Sequence, residues 1–235
     1  MTTQRDITEM FDDISPRYDF LNHVLSMNLD RVWRKKMSKK VAETLKDKVE
    51  ANILDVATGT ADLAIRIAKD LPKARVTGID LSQKMLHLGQ RKVKTKGLEQ
   101  RIQLQMDDAM ALSYPNAHFD AVTVAFGVRN FESPRQGIEE MIRVLKEDGL
   151  LVIMEFSKPT SLGIKGGYQL YVKHLLPLVG RVVSGHRTAY RYLPESIERF
   201  PEPEANVRML SEAGLKEVKK EALFGGVATL YVGRK

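Results

Sequence analysis

Acidic side chains follow two short apolar stretches, at places where they could bind a nucleoside. Asp80 ends the segment ARVTGID, and Asp108 comes just after the segment RIQLQM. An acid that lies about twenty residues after a turn glycine, as Asp80 does after Gly59, can accept hydrogen bonds from both ribose hydroxyls. A carboxylate after the next strand can accept from an adenine amino group. The pattern predicts an adenosine site, and the alternative that Asp80 only caps the following helix stays open.

A single glycine turn precedes these acids, in the stretch ILDVATGTADLA from Ile53 to Ala64. The apolar residues before Gly59 predict a buried strand, and the apolar spacing after it predicts a helix. A dinucleotide-binding loop needs several glycines so that the backbone can approach a pyrophosphate, whereas this turn has one. Asp55 and Asp62 would repel phosphates and suit an ammonium or sulfonium group, which favours S-adenosylmethionine. An ordinary strand-to-helix turn is the alternative for this stretch.

The elements that must position these residues alternate between strand and helix from Ala51 to Phe156. This alternation predicts five parallel strands that are joined by right-handed crossovers. Two further strands, near 215–224 and 227–233, predict an antiparallel hairpin at the sheet edge. The predicted fold class is α/β, a Rossmann-like seven-stranded, mostly parallel sheet with a C-terminal antiparallel hairpin.

One helix of this alternation has clear signals at its start. Ser133, Pro134 and Gln136 predict a capping box, and an apolar face follows that ends at Leu145. The continuous apolar run LLVIMEF predicts a buried strand that begins at Leu150.

The segments that flank this core are predicted to be helical. Residues 1–50 fit either a cap that folds over the ligand site or a helix pair packed on the sheet edge. Residues 162–183 are apolar and aromatic, and they fit a wall of a hydrophobic substrate pocket, a membrane-interface segment or a buried helix. We expect one domain over 1–235, with an N-terminal helical cap (1–50), a cofactor-binding core (51–157) and substrate-side helices with the hairpin (158–235).

The composition limits the chemistry and the partners. The 235 residues include no cysteine, which excludes disulfides, zinc-thiolate sites and cysteine nucleophiles. The five histidines show no metal-ligand spacing, so we expect no metal. The net charge is +7, and basic residues cluster at 31–40 and 84–96. Because these clusters lack the interleaved aromatic residues of single-strand binding, we expect no nucleic-acid partner and interpret them as solvated helix faces, with a membrane-surface role left open.

Four further segments carry a more specific pattern. They are YDFLNHVLSMNLDRVW (18–33), FGVRNF (126–131), RVLKEDGLLVIMEFS (143–157) and YLPESIERFP (192–201). They lie outside the generic cofactor turn, and they resemble signature segments of the ubiquinone/menaquinone biosynthesis C-methyltransferase family. The chain departs from that pattern at Asp30, where the family usually has histidine, and at Ala61, where glycine is frequent.

This resemblance implies a class I S-adenosylmethionine-dependent methyltransferase that methylates a ring carbon of a polyprenylated quinol. Conversion of demethylmenaquinol to menaquinol is the first expectation. The ubiquinone-pathway benzoquinol, alone or in addition, is the next, followed by another small hydrophobic molecule. The resemblance also implies that Thr60, Asp80, Asp108 and Ala109 contact the cofactor. Because Asp30 replaces the usual histidine, a histidine there cannot be essential to the chemistry of this chain.

The implied reaction needs an ionised quinol. A phenol-like hydroxyl has a pKa of about 10, so a cation or a base must promote its ionisation before the ring carbon attacks the methyl group. We expect Arg129 to stabilise the quinolate or to polarise a water molecule, Asn130 to orient the oxygen and Tyr18 to close the site. The alternative is that Arg129 and Asn130 only hold their loop in place.

Other classes of protein would show other features. A dehydrogenase would need the glycine-rich pyrophosphate loop, and a nucleic-acid methyltransferase would need a continuous basic groove. A non-catalytic partner protein would bind the cofactor without turnover. The start MTTQRDITEMFDD does not resemble a signal peptide, and no apolar run is long enough to span a bilayer. The expected location is the cytoplasm, with contact at the inner face of the membrane and a homodimer left open.

Overall fold

A seven-stranded sheet runs through the part of the chain that the computed structural model describes, namely residues 4–15, 18–159 and 187–235 with Gly163 and Gly166. Its strands are β1 (Asn52–Val56), β2 (Arg75–Asp80), β3 (Ile102–Met106), β4 (Phe119–Ala125), β5 (Leu145–Phe156), β6 (Lys216–Leu223) and β7 (Ala228–Arg234). Their order is β3-β2-β1-β4-β5-β7-β6. The strands β1 to β5 are parallel, and β7 is antiparallel to both β5 and β6. The predicted fold class is therefore confirmed.

Helices cover both faces of this sheet. They are α1 (Gln4–Ile14), α2 (Tyr18–Leu25), α3 (Leu29–Leu45), α4 (Asp62–Asp70), α5 (Gln83–Thr95), α6 (Pro134–Val144), α7 (Arg187–Arg199) and α8 (Pro203–Glu212). Side chains of α3, α4 and α5 pack on one face, and side chains of α6 and α8 pack on the other. Because both faces of β1, β4 and the second half of β5 are covered, these strands are buried at nearly every position.

Strand β1 shows this arrangement residue by residue. Ile53 points into the core on the α3 and α4 side, whereas Leu54 and Val56 belong to the core on the α6 side. All three side chains are fully buried. The short apolar run before the glycine turn is thus a central strand, as its composition predicts.

The start of α6 corrects one predicted detail. Ser133 Oγ accepts a hydrogen bond from Gln136 N at 3.3 Å, so the serine caps the helix. The side chain of Gln136 does not complete the capping box, because Ser133 N donates to Met110 Sδ at 3.3 Å and Gln136 Nε2 donates to the carbonyl oxygen of Met110 at 2.9 Å. The glutamine fastens the helix to the loop after β3 instead.

The end of α6 corrects a second detail. Leu145 was expected on the apolar face of the helix, but it is the first residue of β5 and pairs with Phe119. The pairing then shifts, and Leu150 lies opposite Ala121. The chain thus enters the strand earlier than the position of Gly149 suggests.

An aromatic cluster connects the N-terminal helices to the sheet. Trp33 of α3 lies 6.0 Å from Phe126 and 6.4 Å from Phe156, measured between ring centroids. Phe126 directly follows β4, and Phe156 is the last residue of β5. The cluster therefore lies at the carboxyl edge of the parallel strands. The predicted helical stretch 162–183 falls outside the described residues apart from two glycines. In the described part of the chain, every helix is too short or too polar to cross a membrane.

Candidate cofactor and substrate site

A cavity lies at the carboxyl edge of the parallel strands, where open α/β sheets bind their ligands. It contains about 730 Å³ of empty space, including the part that opens to solvent. The ends of β1, β2 and β4 and the loop after β3 form its floor and sides. Residues from α1 and α2 form the opposite wall, so the cavity lies between the sheet and the N-terminal helices.

The predicted glycine turn forms part of this cavity. Gly59 has a φ of +55°, a left-handed conformation that favours glycine. Ala61, which precedes α4, has a φ of +65° and provides no side-chain cap for the helix. The amide N–H of Gly59 donates to Asp80 Oδ2 at 2.8 Å. The turn is therefore fastened to the end of the neighbouring strand through the acid that the sequence singles out.

Asp80 holds two loops at the cavity wall. Besides Gly59, it accepts a hydrogen bond from Ser82 N at 2.9 Å through Oδ1. Ser82, not Asp80, caps α5, because its Oγ accepts from Met85 N at 3.1 Å. Burial raises the pKa of Asp80 above its ordinary value, although these amide donors favour the ionised form. The carboxylate lines the cavity, as a ribose-binding acid would.

The loop after β3 brings further acids to the same cavity. Asp107, Asp108 and Ala109 all line it. Asp108 Oδ1 accepts from Met110 N at 2.9 Å, and Asp107 accepts from the backbone and hydroxyl of Ser113. Their carboxylates are held by the loop itself. The two strand-end acids that the sequence predicts to lie together, Asp80 and Asp108, thus border one space.

Asp55 lies behind the turn and is not among the residues that line the cavity. Its Oδ2 accepts from Thr58 Oγ1, and its Oδ1 accepts from Thr123 Oγ1, both at 2.7 Å. Thr123 is its register partner on β4, and Gly78 is its partner on β2. A Cβ atom at Gly78 would lie 2.8 Å from Thr58 Oγ1, so the glycine makes room for this contact. Burial raises the pKa of Asp55 to about 6.

Thr60 connects the turn to the N-terminal helices. Its hydroxyl donates to Asp19 Oδ1 at 2.6 Å and accepts from Lys92 Nζ at 2.9 Å. Lys92 also pairs with Asp19 at 2.8 Å and with Asp62. Asp19 belongs to α2, Lys92 to α5 and Asp62 to α4, so one ammonium group joins three helices. We call these four residues the Lys92 cluster.

The N-terminal helices close the cavity with Tyr18, as expected, and with residues of α1 that the sequence did not single out. Ile7, Thr8 and Phe11 of α1 line it, together with Tyr18 of α2. The rings of Phe11 and Tyr18 meet edge to face at 6.0 Å. Burial raises the pKa of the Tyr18 hydroxyl, which therefore stays protonated. The spacing of Ile7 and Phe11, four residues apart, was a signal for this wall.

Arg129 lies behind the cavity wall in a buried ion pair. Its Nη1 lies 3.1 Å from Glu155 Oε2 and also donates to the carbonyl oxygen of Phe126. Its Nε donates to Ser196 Oγ at 3.3 Å. Burial raises the pKa of Glu155, and the charge of Arg129 opposes that shift. Glu155 could have been noticed as the one charged residue within LLVIMEF.

Asn130 does line the cavity, and a tyrosine fixes its amide. The hydroxyl of Tyr192, in α7, donates to Asn130 Oδ1 at 2.9 Å. Asn130 Nδ2 makes a long contact of 3.4 Å to the carbonyl oxygen of Phe126. Because its oxygen is occupied, the amide can offer its N–H groups to a ligand oxygen. The catalytic roles expected for Arg129, Asn130 and Tyr18 stay predictions.

Comparison with known proteins assigns the chain to a protein family. It matches the ubiE/COQ5 methyltransferase family over residues 1–235. This chain belongs to the ubiE/COQ5 methyltransferase family. It is 43% identical over 230 residues to a demethylmenaquinone methyltransferase of Porphyromonas gingivalis, and the aligned residues cover 97% of this chain and 92% of that protein. It is 42% identical to a ubiquinone/menaquinone biosynthesis C-methyltransferase of Geotalea uraniireducens, with 97% and 96% covered.

Solved structures share the fold of this family member. The [4+2]-cyclase SpnF has a TM-score of 0.73 at 20% identity and covers 99% of this chain and 97% of its own. A SAM-dependent methyltransferase from Aquifex aeolicus has a TM-score of 0.56 at 18% identity, with 84% and 88% covered. These identities are low, so the likeness concerns the fold alone. Family membership confirms the predicted enzyme class, a methyltransferase, and S-adenosylmethionine as its methyl donor.

The cavity suits the donor of this family. Carboxylates at the ends of neighbouring strands can accept hydrogen bonds from hydroxyl and amino groups, and they would repel a phosphate. Ile79, Leu81 and Met85 add an apolar side beside Asp80. A nucleoside with a flat base and polar edge groups fits such a mixed lining.

Asp30, which departs from the family signature, is buried in the first turn of α3. Its Oδ2 lies 2.8 Å from His23 Nδ1 and pairs with Arg34, while its Oδ1 accepts from Ser26 Oγ at 2.7 Å. These partners hold the pKa of Asp30 below its ordinary value despite its burial. In this chain, position 30 fastens the turn that orients α2 over the cavity.

Proposed function

We propose that this chain transfers the methyl group of S-adenosylmethionine to a ring carbon of demethylmenaquinol and so forms menaquinol. The observation that carries the proposal is the cavity bordered by Asp80 and Asp108. The chain also aligns with nearly the whole length of relatives that are named demethylmenaquinone methyltransferases. The cavity also has an apolar side formed by Phe11, Phe126 and Phe131, which suits an aromatic quinol.

We assign the cofactor to the turn and the acids. Asp80 would hold the ribose, Asp108 and Ala109 would border the adenine, and the turn at Gly59 would pass beside the amino-acid part. S-adenosylmethionine, when bound, would supply a methyl group on a sulfonium, which a ring carbon could accept as the carbon-sulfur bond breaks and the proton of that ring carbon is then lost to solvent. Asp55 and Thr60 support this site through the turn, because their side chains are occupied by Thr58, Thr123 and the Lys92 cluster.

The residues on the other side would handle the quinol. Asn130 is the candidate to donate an N–H to the quinol oxygen, because the hydroxyl of Tyr192 already donates to Asn130 Oδ1. Arg129 is proposed to act through the turn that it holds, since its guanidinium already binds Glu155, Ser196 and Phe126. Its charge would still favour an ionised quinol nearby. Tyr18 and Phe11 would exclude water from the reacting groups, which strengthens the charge interactions there.

The polyprenyl tail of the substrate resides in lipid, so the enzyme must meet a membrane surface to collect it. We propose peripheral contact with the membrane, supported by the net charge of +7. The basic cluster at 31–40 contains six basic and no acidic residues.

The test is transfer of labelled methyl from S-adenosylmethionine to a reduced, short-chain demethylmenaquinol, with the matching demethyl benzoquinol in parallel. The second substrate is included because the Geotalea relative is named for both pathways. Label in the naphthoquinol alone would support the proposal, and label in both would mean a shared enzyme. Label in neither, with cofactor binding confirmed by calorimetry, would overturn the substrate.

A further inference from the structure

Exposed apolar side chains concentrate in α2, α3 and the turn between them. Phe20 is 59% exposed, Val24 43%, Met27 65% and Val32 60%. These are four of the seven large apolar residues that are exposed among those described, and they fall within thirteen positions of the chain. Phe20 and Val24 are four residues apart on α2, so they share one helix face. We call these four residues the outer apolar face.

This face lies directly behind the wall of the cavity. Tyr18 points into the cavity from α2, whereas Phe20 is exposed two positions later. Two positions on an α-helix are separated by about 200°, so the two rings project on opposite sides. One short helix therefore separates the cavity from the outer apolar face. A surface that bound this face would lie one helix diameter from the site.

Basic residues border the outer apolar face. Arg31, Lys35, Lys39 and Lys40 of α3 are exposed. Val32 lies three and seven residues before Lys35 and Lys39, so these side chains share the outer face of α3. Lys36 pairs with Glu221 and Lys39 lies 3.7 Å from Glu43, which leaves the border net positive in the segment 31–40.

The combination of apolar side chains and basic charge selects the partner. A nucleic acid would be matched by the charge but not by four exposed apolar side chains. A second copy of this chain, related by a two-fold axis, would bring the same basic border against itself. An anionic lipid bilayer satisfies both features, because its headgroups attract lysine and arginine and its acyl region accepts apolar side chains.

We propose that the outer apolar face, with Arg31 and Lys35 at its border, docks on an anionic lipid bilayer. The proposal rests on the proposed function, since it states where the enzyme collects its lipid-borne quinol. In the docked position α2 lies at the bilayer surface and the cavity lies just above it. The tail of a quinol could then stay in the lipid while the ring enters the cavity beside Tyr18.

The first test is co-sedimentation of the full chain with phosphatidylcholine vesicles, with and without phosphatidylglycerol. We expect binding to the anionic vesicles to exceed binding to the neutral ones by about tenfold, and to weaken with added salt. Failure to sediment with anionic vesicles would overturn the proposal. Because vesicle binding needs no turnover, this outcome is independent of the labelled-methyl assay that tests the proposed function.

Variants then locate the surface. We expect Phe20→Ser with Met27→Ser, and separately Arg31→Gln with Lys35→Gln, to weaken binding to anionic vesicles by about tenfold. Matched controls are Val49→Ser and Lys73→Gln, because both residues are exposed near the starts of β1 and β2, at the opposite edge of the sheet. If the Phe20→Ser, Met27→Ser double variant fails to fold, the Arg31→Gln, Lys35→Gln double variant still tests the proposal. Equal losses in test and control variants would contradict the assignment.

Two more measurements separate docking from its alternatives. The charge variant should methylate a short-chain, water-soluble quinol at the wild-type rate but should lose rate with a long-chain quinol in vesicles. Analytical ultracentrifugation without lipid should give one mass for wild type and for both variants. A mass that falls in the variants would identify the outer apolar face as a contact between copies and would overturn the lipid assignment.

Discussion

Arg129 Nη1 lies 3.1 Å from Glu155 Oε2, and the two side chains are only 6% and 0% exposed. The same nitrogen donates to the carbonyl oxygen of Phe126, whose φ of +62° is unusual for a bulky residue. Arg129 thus connects a buried carboxylate to the turn that precedes Asn130. The pair orients a loop of the candidate site and does not itself line the cavity.

The Arg129→Met variant should lose about 3 kcal/mol of unfolding free energy, because Glu155 would remain buried without its partner. Combining it with Glu155→Leu should recover most of that loss, since no unpaired charge is left. Urea unfolding of the two single variants and the double variant measures these differences. If the double variant were as unstable as Arg129→Met, the ion pair would not be the source of the effect.

Methyl transfer by the double variant tests whether Arg129 contributes to the reaction once the unpaired charge of Glu155 has been removed. We expect its rate to fall at least about tenfold with cofactor affinity retained, because the Phe126 turn has lost its donor. Arg129→Lys should recover part of the rate, since a lysine could still reach that carbonyl oxygen. A near-normal rate in the double variant would exclude both roles for Arg129.

The Tyr192→Phe variant should lower methyl transfer by about tenfold, because removing one oriented hydrogen bond costs about 1 kcal/mol or more in a buried site. The hydroxyl fixes the amide of Asn130, so Asn130→Ala should lower the rate at least as much. Stability should change little, since Tyr192 is partly exposed.

Tyr114→Phe is the matched control for the loss of a tyrosine hydroxyl. Its ring packs on His118 and Phe119 at the opposite edge of the sheet. We expect an unchanged rate of methyl transfer. If Tyr192→Phe also kept the wild-type rate, the orientation of Asn130 would not matter to the reaction.

The Lys92→Met variant should weaken S-adenosylmethionine binding by about fivefold, because partly exposed ion pairs contribute about 1 kcal/mol together. Its ammonium holds α2 against the turn through Asp19, Thr60 and Asp62. Calorimetric titration of the cofactor measures the change. Lys94→Met, an exposed position on the same helix, is the control and should bind normally. Equal affinities would mean that the N-terminal helices do not retain the cofactor.

The sequence predicted the sheet and the strand-end acids because both depend on local patterns. Apolar runs bounded by turns identify strands, Asp80 is the last residue of β2, and Asp108 follows the end of β3 by two residues. Parallel pairing then brings those ends to one edge, whatever the loops do. The acids therefore needed no knowledge of tertiary contacts.

The remaining contacts depend on partners far apart in the chain. Lys92 meets Asp19 across 73 positions, and Arg129 meets Glu155 across 26. In the sequence, Lys92 is one of several basic residues in the segment 84–96, and its charge alone predicts a solvated side chain. The sequence also placed Asp55 at the cofactor, whereas the register of β1 against β4 directs it to Thr123. Such pairings follow from packing and register, which single-residue patterns do not specify.

The buried carboxyl of Asp55 gives a pH dependence with a definite sign. Its pKa is raised to about 6 by burial, above the value of about 4 in an unfolded chain. The folded state therefore binds this proton more tightly than the unfolded state does. The stabilisation by the bound proton is complete below pH 4 and is lost as the pH rises through 6. The loss is of the order of 2 to 3 kcal/mol, at 1.36 kcal/mol for each pKa unit.

Asp55→Asn removes this titration and keeps a side chain that can bond both threonine hydroxyls. The stability of the variant relative to wild type should therefore rise between pH 4 and pH 7 and stay constant above that. Other buried carboxyls such as Asp80 and Glu155 titrate in both proteins, so the difference between the two curves isolates Asp55. Urea unfolding at five pH values gives both curves. Parallel curves would show that the pKa of Asp55 is the same in the folded and the unfolded chain, because the hydrogen bonds from Thr58 and Thr123 offset the effect of burial.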